Sequence, residues 1–177
     1  MLLKNWYILR ALKQLYMTSS ILATPMVAYN GNTPLNFYPH YSQPDGYLGR
    51  LLSSVLNTAS YRQGVLFGDG NTAVTINDHC LSGNVIPLSS ANVMVSRTNE
   101  VSDSGLTVKA KYTITNVAST DITIREVGLM EGYRYHNDSS DAAILVDRTV
   151  LDTPVTIPAG GVGQVEYTIT FNLPTAT

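Results

Sequence analysis

Residues 105–117 read GLTVKAKYTITNV. Leu106, Val108, Ala110, Tyr112 and Ile114 alternate with Thr107, Lys109, Lys111, Thr113 and Thr115. This two-residue period is that of a strand with one buried and one wet face. The same period returns near the C-terminal end of the sequence, where Val165, Tyr167, Ile169, Phe171 and Leu173 alternate with Gln164, Glu166, Thr168, Thr170 and Asn172. A helix needs apolar residues every three to four positions, so these segments point to a β fold.

Between them, residues 121–130 read DITIREVGLM. Ile122 and Ile124 share one parity, and Val127 and Leu129 share the other. One extra residue near Arg125 and Glu126, a β-bulge, would bring both pairs onto one face. The connection 118–121 would then make 105–131 a hairpin. Further short strands are expected at 62–67, 73–76, 92–97, 143–150 and 153–157, separated by clusters of Gly, Asn, Asp, Ser and Pro. Seven or so strands at this spacing predict a mainly β fold, an antiparallel β-sandwich or jelly-roll-like domain over residues 61–177.

The N-terminal side has a different character. Residues 2–16, LLKNWYILRALKQLY, hold strong helix formers, with Leu2, Trp6, Leu9, Leu12 and Tyr16 on one broad side, and predict a helix. From residue 18 to about 47, Pro25, Pro34, Pro39 and Pro44 forbid a continuous helix or a central strand. The stretch still carries too many apolar groups for a free linker, so an extended arm lying on its own domain or a neighbour is expected. A short helix at 47–57 would carry Leu48, Leu51, Leu52 and Val55 on one side. Residues 1–60 thus read as a helix and arm for assembly, with Trp6, Leu9, Tyr16, Phe37, Tyr38 and Tyr41 as its contact residues.

A chain of 177 residues is long enough for one domain with a full core. With 11 basic and 13 acidic residues, its net charge of -2 supplies no field to draw nucleic acid. Charged residues are 14% of the chain, against roughly 25% in an average soluble domain, as suits a surface that packs against other subunits. A single cysteine excludes an intrachain disulfide framework. Lys4, Arg10 and Lys13 interrupt any signal-peptide core, and no stretch approaches the roughly 20 apolar residues of a membrane span. The expected location is therefore the cytoplasm of synthesis, or a larger particle assembled there.

Residues 67–83, FGDGNTAVTINDHCLSG, concentrate the reactive residue types. An enzyme built on Asp78, His79 and Cys80 is disfavoured because the three are consecutive: in an extended segment His79 points away from both neighbours. Cys80 reads instead as a small buried apolar residue. No Gly-Lys-Ser/Thr follows GDGN, which excludes a phosphate loop, so GDGN reads as a hairpin turn and AVTI as a strand. Asp78 is expected to accept hydrogen bonds from nearby backbone N–H groups. Asp69, Asn71 and Asp78 offer oxygens to calcium without the acidic density of a calcium loop, and His40, His79 and His136 have no metal-ligand spacing. Arg125 and Glu126 read as a pair marking the bulge, with side chains reaching the sheet edge. No catalytic residue, cofactor or metal is expected. In YRYHNDSSD, residues 133–141, Tyr133, Tyr135 and Asp138 offer aromatic faces and polar groups to a glycan.

Two stretches together resemble structural proteins of tailed bacteriophages and related prophages. The first is Gly68-Asp69-Gly70-Asn71-Thr72, then AVTI, Asp78 and Leu81; the second is Ile124-Arg125-Glu126-Val127-Gly128-Leu129-Met130, followed at a distance by LVDRTVLDTPVTIPAGGVGQVEYTITF. The resemblance covers about residues 62–173. It implies a non-enzymatic β-sandwich of the neck, tail, baseplate or capsid exterior, self-associating and contacting other virion proteins. It also implies residence in the virion after assembly in the host cytoplasm. The alternative is a receptor- or glycan-binding module of a phage tail or fibre.

Overall fold

The computed structural model describes Tyr29, Leu52, Val55, Leu56 and residues 64–102, 105–134 and 141–172. This part of the chain is mainly β. Its strands are β1 (Gly64–Gly68), β2 (Val93–Ser102), β3 (Gly105–Thr115), β4 (Ile122–Arg134), β5 (Asp141–Ile157) and β6 (Val162–Asn172). They form two antiparallel three-stranded sheets, ordered β1-β4-β5 and β2-β3-β6.

The alternating residues of β3 and β6 behave as their period requires. Val108, Ala110, Tyr112, Ile114, Val165, Tyr167 and Ile169 are buried. They share one cluster with Val65 and Phe67 of β1, Ile124, Val127 and Leu129 of β4, and Ile144, Val146 and Ile157 of β5. Each fully buried side chain of this size contributes about 1.5–3 kcal/mol. The Phe67 and Tyr112 rings meet edge-on across this core at 5.4 Å. Tyr112 donates its hydroxyl to the Leu52 carbonyl at 2.9 Å, and burial pushes its phenol far up.

The expected bulge is present. Ile124 pairs with Val155 but Glu126 pairs with Val150, so the register shifts at Arg125. Ile124, Val127 and Leu129 therefore all face the shared core, while Glu126 and Gly128 turn to the opposite face. On β5 the same irregularity absorbs residues 151–154, so the two strands expected at 143–150 and 153–157 are one interrupted strand. A second shift sets Leu129 opposite Asp147 and Met130 opposite Leu145. Val146 and Asp147 both turn inward as a result, and Arg148 turns outward.

Other expectations are corrected. Residues 105–131 are not a hairpin, because β3 and β4 belong to different sheets. The 116–121 connection crosses between the sheets, as does 158–161, and Asn116 ties the two crossings together. Its Nδ2 donates to the carbonyls of Thr120, Ile157 and Pro158 at 2.9, 3.0 and 3.1 Å. Its Oδ1 accepts from the Ala118 N–H at 3.0 Å, and its own N–H and carbonyl bond Gly161 and Gly160 at 2.9 Å. Gly160 closes this corner with φ of 72°. Asn116→Ala strands several of these groups and should cost about 2–3 kcal/mol, read from the shift of the denaturant midpoint.

Residues 73–76 form no strand. At 47–57, Val55 forms a parallel bridge with Val65 and the Leu56 N–H donates to the Val65 carbonyl at 2.8 Å. At Val55 and Leu56 this pairing stands in place of the expected helix and satisfies the outer edge of β1, and apart from Leu52 the rest of 47–57 lies outside the described residues. The helix expected at 2–16 and nearly all of the arm lie outside the described residues.

Candidate functional site

β4 is the central strand of its sheet, and the bulge at Arg125 points Glu126 away from the shared core. A carboxylate there would meet water if the face were open. Instead residues 69–84 form a strap across it, and Glu126 is fully buried beneath. Glu126 Oε1 accepts the N–H groups of Gly70 at 3.1 Å and Gly83 at 2.8 Å. Oε2 accepts the Ser82 N–H at 3.1 Å, its hydroxyl at 3.2 Å, and Arg148 Nε at 2.7 Å.

Arg148 comes from β5, where the second register shift aims it at the same face. Its Nη1 meets Asp78 Oδ2 at 2.6 Å, and its Nη2 donates to the Thr72 carbonyl at 2.9 Å and hydroxyl at 3.3 Å. Asp78 also accepts the Thr75 N–H at 3.1 Å and hydroxyl at 2.6 Å. Asp69 closes the strap at its base, accepting the Asn84 N–H at 2.6 Å and Nδ2 at 3.2 Å.

Close approach of the two ends of the strap depends on glycine. A Cβ on Gly70 would lie 2.1 Å from Ser82 Oγ and 2.3 Å from the Gly83 nitrogen. Beneath the strap a second apolar cluster holds Leu56, Leu66, Leu81, Met130 and Leu145, with Tyr29, Val74 and Val85 packed against it. Tyr29 of the arm accepts the Leu81 N–H at 3.3 Å through its phenolic oxygen, and burial pushes that phenol up.

Burial by itself would push the Glu126 carboxyl up; the Arg148 guanidinium and the Gly83 and Ser82 N–H groups outweigh it and hold the carboxyl below its ordinary range. Burial opposes Asp78 in the same way, and the Thr75 hydroxyl, the Thr75 N–H and Arg148 outweigh it. Both folded values are depressed, so both groups add stability that is complete above the ordinary carboxylate pKa of about 4 and is lost as pH falls through their lower folded values. Asp78→Asn should flatten the acid limb of a stability–pH curve measured by denaturant unfolding. An acid limb as steep as that of the wild type would contradict the assignment. Asp147, buried in the shared core with the Tyr167 hydroxyl donating to it, is pushed up by burial and titrates in the opposite sense. Comparing the variant with the wild type cancels that contribution.

The residues singled out from sequence are placed as follows. Asp78 accepts a backbone N–H, as expected, and also bonds the Thr75 hydroxyl and pairs with Arg148. Cys80 is half-buried rather than buried, and burial, followed by the Asp78 charge, pushes its thiol up, away from thiolate reactivity. GDGN is not a hairpin turn and AVTI is not a strand: the chain leaves β1 at Gly68 and crosses the sheet because Glu126 and Arg148 capture it. The Asp69 and Asp78 carboxylates, two of the oxygens weighed for calcium, are engaged by Asn84, Thr75 and Arg148. Among the described residues no His, Cys, Asp and Glu cluster could hold a metal ion. Glu126 pairs with Arg148, not with Arg125, and lies under the strap rather than at the sheet edge, because β4 is central.

Tyr133 lies in β4, its side chain outside the described residues, as are Tyr135, Asp138, His40 and His136. Trp6, Leu9, Tyr16, Phe37, Tyr38 and Tyr41 also lie outside them. Arg148 was missed. Its signal was present in ILVDRTV, where two charges interrupt an apolar strand, the mark of a paired buried ion.

The arrangement is a buttress: two buried opposite charges that spend their bonding capacity on the strap backbone. Comparison of the chain with protein-family models, curated proteins and solved structures finds no match in any of the three.

Proposed function

We propose that this chain is a non-enzymatic structural protein of a tailed-bacteriophage virion, self-assembling and contacting neighbouring subunits of the neck, tail or capsid exterior. The observation that carries the reading is Tyr29, an arm residue docked through its hydroxyl on a strap that buried charges pin to the sheet. An arm docked on a folded body is what a subunit needs in order to set the orientation of a neighbour.

The resemblance supports the same reading, because its two stretches form one physical unit. Gly70 of the first is bonded by Glu126 of the second, and Asp78 by Arg148. In this reading the two sheets are a β-sandwich, residues 61–177 are the body and residues 1–60 the assembly arm. Sedimentation and negative-stain imaging of the full chain test it. Closed, symmetric assemblies of one subunit type are expected, and a monomer throughout the micromolar range would refute it.

A further inference from the structure

We infer that two copies of this chain join through their β2 strands, antiparallel about a two-fold axis at Thr98, so that the two β2-β3-β6 sheets run on as one six-stranded sheet. This rests on the self-assembling reading above and adds to it a surface and a register.

β2 is an outer strand of its sheet, and among the described residues no strand other than β3 pairs with it. Its ten residues hold no proline, and its register with β3 runs from Val93 to Ser102 without a shift. The other sheet blunts its outer strands: β1 is bridged by Val55 and Val85, while β5 loses register at 151–154 and carries Pro154. β2 has neither device and offers a regular ladder edge, a template for one more strand.

The strand that fits this edge is β2 itself. Val93, Val95, Arg97, Asn99 and Val101 share the face of the sheet that carries the core, since they stand opposite Ile114, Tyr112, Ala110, Val108 and Leu106. Val93 and Val95 pack against that core, whereas Arg97, Asn99 and Val101 are exposed, Val101 by 82%. One half of β2 is therefore covered and the other half overhangs. Antiparallel pairing of two copies lays the overhanging half of each beside the covered half of the other, and the two-fold axis makes both contacts at once.

Charge fixes the register. Residues opposite one another in an antiparallel pair share a face, so the axis passes through a residue and not between two. The midpoint of β2 lies between Arg97 and Thr98. An axis at Arg97 would set two guanidinium groups opposite each other, which is destabilising. An axis at Thr98 sets Thr98 opposite itself, Arg97 opposite Asn99, Ser96 opposite Glu100 and Val95 opposite Val101. No like charges meet, and the exposed Val101 lands beside a valine already packed on its own core.

Full-length Thr98→Cys, oxidised in the assembled state, should form a 98–98 disulfide between copies, because opposite residues place their Cα atoms about 4.5–5.5 Å apart, within disulfide reach. Chains carrying Ser96→Cys or Glu100→Cys should link poorly to their own kind and readily to each other. Peptide mapping separates these links from any made by Cys80. Assemblies without the 98–98 link, or with position 98 linked outside β2, would overturn the inference and leave the self-assembling reading standing. A chain that stays monomeric throughout the micromolar range removes both.

Thr98→Glu supplies a second measurement. Its carboxylate would lie beside Lys109 of the same chain, which preserves the fold, and would meet its own copy across the axis. The dissociation concentration of the assembly should rise about fivefold. Mixing these chains with Thr98→Lys chains should restore the wild-type value. A dissociation concentration unmoved by either substitution would show that the β2 edge is not where the copies join.

Discussion

Glu126→Ala should lower the unfolding free energy of the full chain by about 4–5 kcal/mol, a large share of the 5–15 kcal/mol available to a typical domain. The substitution removes the one acceptor shared by the N–H groups of Gly70, Ser82 and Gly83 and leaves the Arg148 guanidinium, 1% exposed, without its inner partner. Urea unfolding measures the loss. A cost under about 1 kcal/mol would mean that the strap does not depend on the buttress.

Many buried ion pairs can be exchanged for apolar residues of similar volume at little cost. Here the double replacement Glu126→Met with Arg148→Met should fail to restore stability. The three N–H groups and the Thr72 carbonyl would still be stranded beneath the strap. Recovery to the wild-type midpoint would contradict this account.

Gly70→Ala should cost about 3 kcal/mol without changing a single charge. The added methyl would sit 2.1 Å from Ser82 Oγ, 2.3 Å from the Gly83 nitrogen and 2.4 Å from Glu126 Oε1. Two of these belong to the opposite end of the strap, so the strap must open for the methyl to fit. Amide exchange should accelerate at Gly83 and Asn84 while the β3 and β6 amides keep their protection. Because Gly70→Ala and Glu126→Ala both release the same segment, their combined cost should fall short of the sum. Strict additivity would show that they act on separate structures.

The period-two strands and the bulge were readable because each follows from local parity: Ile124 and Val127 cannot share a face without one extra residue between them. The hairpin reading of 105–131 failed because a four-residue connection is compatible with both a hairpin and a crossing between sheets. The choice is made by Asn116, whose partners Ile157 and Pro158 lie about 40 residues away in sequence. The strap was misread as a turn and a strand for a related reason. Ala73-Val74-Thr75-Ile76 has strand composition, yet its neighbours Gly70 and Thr72 are bonded to side chains of β4 and β5, and among the described residues no strand pairs with it.

The identities of the buttress residues were visible throughout, but their partnership was not. Glu126 stands next to Arg125 in sequence and 22 residues from Arg148, and adjacency suggested the wrong partner. In a strand, neighbours point to opposite faces, so register, rather than sequence distance, selects the pair. Gly128 of β4 pairs with Arg148, and that alignment brings the guanidinium to the side of Glu126.

By itself the sequence determined a β chain of alternating strands with a bulge at Arg125, because side-chain alternation is set by backbone geometry one residue at a time; it did not determine their length, since β5 alone runs over 17 residues. Tertiary structure alone decided how those strands divide between two sheets and which charges are buried together. It alone decided, too, that residues 69–84 lie across a sheet face with Tyr29 seated on them. Those outcomes depend on contacts between distant segments, whose free energy is settled only when both partners are desolvated in the same place.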